Sequence, residues 1–131
     1  MVVRIAITLL CGVGLFTALF MLNKAQKAER GLLTEASVVQ TPRAHLLGPN
    51  NALIGAAFYP ILAILVWIAA IQGQPLFLDV AILAALAAAA MSAVLAYSLL
   101  RVTKMPCPFC WTAHVANWLL AILCVVLHFQ P

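Results

Sequence analysis

Four long apolar runs constrain this chain more than any other feature. Residues 2–22 hold one charge, Arg4, and comparable runs occupy 51–72, 76–100 and 108–129. About 20 apolar helical residues cross a hydrocarbon core, and a helix satisfies its own backbone donors and acceptors where water is absent. The chain is 66% hydrophobic and 8% charged, against about 45–50% and about 25% in soluble domains. That excess cannot be buried as a core in water. The expected fold is all-α: an integral membrane four-helix bundle, one transmembrane domain over 1–131, with one long extramembrane loop at 23–50.

The first run exceeds the ~7–15 apolar residues of a signal peptide core, and no small-x-small cleavage pattern follows Leu22. It is expected to stay as a transmembrane helix. The polar stretch Asn23 to Arg30 favours helix and should carry that helix out of the membrane, with Gly31 as a C-cap. Residues 32–50 are too apolar for a solvated linker, since Leu32, Leu33, Val38, Val39, Leu46 and Leu47 lie among them. They are expected to fold back over the bundle. Asn50-Asn51 should cap the second helix, and Pro60 should kink it. A turn at 72–75 leads to an alanine-rich third helix suited to close packing. Span parity then puts 23–50 and 101–107 on the same side of the membrane.

The chemistry is concentrated at 105–118. Cys107 and Cys110 form a C-x-x-C at the mouth of the last run, and Cys110, His114 and Asn117 fall on one helical face. Pro108 suits the first helical turn, which makes Cys107 the expected N-cap. Free amides and the helix dipole there favour a thiolate, the species that exchanges with disulfides. A histidine inside a span is a functional residue by default. A metal site on Cys107, Cys110 and His114 lacks a nearby fourth ligand. A c-type haem attachment needs His where Trp111 stands. A structural disulfide or two inert thiols is the plain alternative. Cys11 and Cys124, inside apolar runs, read as small hydrophobes. The net charge of +4 comes from loop residues near headgroups. No basic stripe with interleaved aromatics suggests nucleic acid.

Two stretches carry a resemblance: Gly48-Pro49-Asn50-Asn51-Ala52-Leu53-Ile54-Gly55 running on to Phe58-Tyr59, and Cys107-Pro108-Phe109-Cys110. With the four-span layout, they make the chain similar to the vitamin K epoxide reductase family, membrane thiol oxidoreductases coupled to quinones. The resemblance implies that Cys110 faces the quinone and that Cys107 exchanges with a thiol donor. Asn51 matches an asparagine that hydrogen-bonds one quinone carbonyl. His114 falls where many members carry a tyrosine contacting the other carbonyl. Phe58, Tyr59 and Trp111 would line the ring pocket. The implied cofactor is menaquinone, ubiquinone or a similar quinone. The implied partners are an external thiol donor such as a thioredoxin-like protein, and membrane lipid. No metal is implied.

One departure from the family pattern is plain. Members usually carry a loop cysteine pair that relays electrons to the C-x-x-C, and residues 23–50 contain no cysteine. The relevant position falls near Glu35 or Ala36. Cys124 lies roughly 21 Å along the helix from Cys110. The donor must then lie outside this chain, or the chain is a non-catalytic quinone- or lipid-binding subunit of a larger membrane complex. Charge adds a tension. Lys24, Lys27, Arg30, Arg43, Arg101 and Lys104 share the C-x-x-C side, which the positive-inside rule would make cytoplasmic. The family chemistry implies the oxidising exterior of a cell (inner) membrane, and that is the expectation kept here.

Overall fold

In the computed structural model, which describes residues 1–130, each apolar run is a helix. They are α1 (Val2–Glu29), α2 (Asn51–Gln72), α3 (Pro75–Ser98) and α4 (Pro108–His128). All four are long and apolar enough to cross a membrane. They pack as a four-helix bundle. Large apolar side chains such as Leu9, Phe16, Ile64, Leu83 and Ile122 are exposed on its outside. That is the inverse of a soluble bundle and the arrangement lipid requires.

Local chemistry sets the ends. Asn50 caps α2, its Oδ1 accepting from the Ala52 amide at 2.8 Å, and Gly73 stops it in the left-handed conformation at φ 64°. Pro75 and Pro108 open α3 and α4 at a position where a missing N–H costs nothing. One boundary matches expectation and one differs. The polar stretch after Leu22 continues α1 to Glu29 as expected, because Lys24 to Glu29 are good helix formers with no breaker before Gly31, which is left-handed at φ 70°. The third helix runs on through a π-helical turn, Leu99–Thr103, closed by Lys104 at φ 53°. This left-handed residue turns the chain into Met105-Pro106 and delivers Cys107 to the start of α4.

The bundle is filled unevenly along its length. The half remote from the C-x-x-C is solid, with Ile7, Leu62, Val66, Ala81, Ala85, Leu120 and Cys124 at 0–1% exposure. Cys11 and Cys124 sit in this core as free thiols. Alanines let α3 approach closely, and Trp118 Nε1 ties α4 to it by donating to the Ala89 carbonyl at 3.1 Å. Tyr59 ends the solid half. Its ring lies against Gly14, where a Cβ would overlap it. Beyond Tyr59, towards the C-x-x-C, the bundle is hollow.

Candidate active site

Helix α4 opens on the two cysteines. Cys107 is the N-cap, its Sγ accepting from the Cys110 amide at 3.2 Å. Cys107 and Cys110 are joined in a disulfide with Cα atoms 5.2 Å apart. Phe109, between them, stacks on Phe20 of α1 at 4.0 Å between centroids and fixes this turn against the bundle. Cys107 is buried at 6% exposure, whereas Cys110 is half-buried and lines a cavity.

The cavity measures about 390 Å³ and is walled by all four helices. Residues 38–47 also contribute to it, through Val38, Val39, Thr41, Arg43, Ala44 and Leu47. Two 3₁₀ turns, Val38–Gln40 and Pro42–His45, shape that stretch. Asn51 holds it: its Nδ2 donates to the Arg43 carbonyl at 2.7 Å. The division of labour at the α2 entry is therefore clear. Asn50 is the cap, while Asn51, one residue on, ties the overlying segment down and has no partner for its Oδ1 or second amide hydrogen among the described residues.

The structure brings Cys110, Asn51, Phe58, Tyr59 and His114 to one cavity. His114 is buried at 6% exposure and has no side-chain hydrogen bond among the described residues. Its ring is held by two indoles instead, with Trp111 edge-on at 6.0 Å and Trp118 tilted at 6.3 Å. Trp111 itself is displaced from the expected role. It lies in a separate shallow groove with Leu10, Val13 and Val115, because it is one residue, and about 100° of helix, off the Cys110–His114 face. Its one aromatic contact towards the cavity, among the described residues, is with the His114 ring.

Sequence reasoning noted Asn117 on the cysteine face but gave it no role, and passed over Ser92 altogether. Together with Tyr59 they form a hydrogen-bond chain across three helices. The Tyr59 hydroxyl donates to Asn117 Oδ1 at 2.9 Å, and Asn117 Nδ2 donates to Ser92 Oγ at 2.7 Å. All three line the cavity. Asn117 lies seven residues past Cys110, roughly 10 Å deeper along α4. The cavity thus has a disulfide sulfur near its mouth, apolar sides and a polar floor.

Among curated proteins, none matches the chain in a direct comparison. The model of the vitamin K epoxide reductase family matches residues 5–125, nearly the whole chain. A span of that extent takes in all four helices, the C-x-x-C and the cavity between them, and it settles the membership: this chain belongs to the vitamin K epoxide reductase family.

Proposed function

We propose that the chain is a membrane thiol–disulfide oxidoreductase that passes two electrons from an external dithiol to a quinone. The supporting observation is the C-x-x-C disulfide opening α4 with Cys110 in the wall of a cavity shared with Asn51 and His114. Family membership supports oxidoreductase chemistry in general.

The residues present fit a quinone ring. The walls are largely apolar, and Asn51 retains an amide hydrogen beyond the one given to Arg43. His114 can donate from one ring nitrogen. When bound, a quinone supplies an acceptor for two electrons and two protons. Everything else falls to this chain. A donor thiolate attacks Cys107 Sγ, the S–S bond breaks, and Cys110 leaves as a thiolate that the α4 N-terminus favours. The donor's second thiol then attacks its own sulfur in the mixed disulfide and releases Cys107. The donor has lost two electrons, and Cys107 and Cys110 are a dithiol. Reforming their disulfide passes those two electrons and two protons to the acceptor at Cys110. Asn51 and His114 orient that acceptor, and preorganised donors of this kind stabilise developing oxygen charge. Attack on Cys107 needs its cover opened, since it is 6% exposed.

Residues 23–50 supply no cysteine of their own, so the donor on this reading comes from outside them, as a protein dithiol of thioredoxin-like type. We place the disulfide end on the exterior side of the membrane, where disulfides persist. An impermeant thiol reagent should therefore label reduced Cys107 or Cys110 on intact cells. Labelling only after lysis reverses the orientation.

Purified protein given a dithiol and a soluble quinone should reduce the quinone, and Asn51→Ala should lower kcat/KM about tenfold or more, the loss of one oriented donor. A folded protein that binds quinone without any thiol-dependent turnover would instead favour a non-catalytic subunit of a larger complex, the reading that the missing loop cysteines support.

A further inference from the structure

The floor of the cavity carries a hydroxyl donor that the two quinone carbonyls do not use. Along the chain from Tyr59 through Asn117 to Ser92, the Tyr59 hydroxyl and one Asn117 amide hydrogen are each spent on the next residue. The Ser92 hydroxyl receives from Asn117, and no acceptor takes its own hydrogen among the described residues. Thr8, Thr17 and Thr112 spend theirs on a carbonyl of the preceding turn, whereas Ser98, higher on α3 in the same cavity wall, shares with Ser92 the lack of an acceptor among the described residues. Ser92 is 2% exposed and lines the cavity. It is a buried donor with nowhere to go except the occupant. Such a group costs free energy when apolar surface is laid over it, and recovers that cost when an acceptor arrives.

Position gives this donor a use. Cys110 and Asn51 lie near the cavity mouth, and His114 one turn deeper on α4. Tyr59 is eight residues past Asn51, roughly 12 Å along α2, and Asn117 is at a matching depth on α4. A ligand seated against Cys110 and reaching His114 has the polar floor as the next surface beneath it. A fused hydrocarbon ring there would cover Ser92 and leave its hydrogen unpaired. A ring oxygen would accept it.

We propose that Ser92, held by Asn117, is a specificity residue that selects benzoquinones bearing alkoxy oxygens over fused or purely alkyl-substituted quinones. Asn117 is a positioning residue: it orients the Ser92 and Tyr59 hydroxyls without serving the carbonyls. The inference rests on the quinone reading above and narrows the class of quinone.

The test uses the full-length oxidised protein, whose closed disulfide prevents turnover, so that affinity is read directly from tryptophan quenching. Two benzoquinones with the same alkyl tail are compared, one carrying two methoxy groups and the other two methyl groups. The dimethoxy compound should bind about three- to tenfold more tightly, the worth of one buried hydrogen bond. Ser92→Ala should erase that preference while leaving the Kd of the dimethyl compound within about twofold. Equal binding of the two quinones by the unmodified protein overturns the inference. So does an equal loss for both in a folded Ser92→Ala. The comparison on unmodified protein stands even where a variant fails to fold. If neither quinone binds to folded protein, the quinone reading itself fails, a result distinct from binding without preference.

Discussion

Cys110→Ser should abolish thiol-driven quinone reduction, by at least about a thousandfold, and should leave a covalent trap in its place. The two cysteines are not equivalent. Cys107 is the N-cap, outside the cavity lining, and Cys110 is in the cavity wall. With Cys110 gone, the Cys107 thiol can still displace a small activating thiol from a donor whose second cysteine is replaced by serine, and no thiol is then left on either side to release that donor. The mixed disulfide should accumulate and be visible as a shifted band on a non-reducing gel. Cys107→Ser should be equally inactive yet trap little donor, because Cys110 faces inward. Neither change should unfold the chain. The bond spans a sequence separation of only three, at the small end of chain-entropy stabilisation, and serine at 107 remains a good N-cap. Cys11 and Cys124 are buried in the solid half of the bundle, so they do not compete for the donor. Wild-type turnover by either variant would sink the mechanism, and trapping by Cys107→Ser alone would exchange the two roles.

What could be read from the sequence follows which forces are local. The four spans were legible because lipid forces each run of adequate length to satisfy its backbone internally, and that requirement concerns consecutive residues. The Cys107 cap was legible for the same reason, as Pro108 fixes where the helix starts. The end of α1 was legible too, since helix propensity carries Lys24 to Glu29 and the next glycine, Gly31, ends it. Asn50 and Asn51 are adjacent and chemically identical, and only the overlying segment tells them apart, because Asn51 alone reaches the Arg43 carbonyl. Trp111 was assigned to the ring pocket on its aromatic character, although its offset from the Cys110–His114 face already argued against it. The floor was out of reach. Tyr59 and Asn117 are 58 residues apart, and Asn117 and Ser92 are 25 apart. No pattern along the chain reports a contact of that range.

Gly14→Ala should destabilise the bundle by about 3 kcal/mol, whereas Gly12→Ala, two residues earlier in the same helix, should be neutral or stabilise by up to about 1 kcal/mol. Both glycines lie inside α1, so backbone entropy favours alanine at both. Space decides the difference. A Cβ at Gly12 meets nothing within 4 Å. At Gly14 it would overlap three carbons of the Tyr59 ring, and that ring is 2% exposed, with no empty volume to enter on the core side. Relief would have to come from sliding the ring into the cavity, which breaks the Tyr59–Asn117 hydrogen bond and strands a buried hydroxyl at a further cost of about 1–3 kcal/mol. The effect therefore reaches the floor as well as the fold, and Gly14→Ala should blur the discrimination between alkoxy and alkyl quinones while Gly12→Ala leaves it intact. Unfolding of both variants in one detergent is the measurement, and the same sign for both would refute the account. A Tyr59→Leu background provides the control. With the ring removed the alanine at 14 has room, so the penalty should shrink by most of its value, a coupling that two independent lesions would not show.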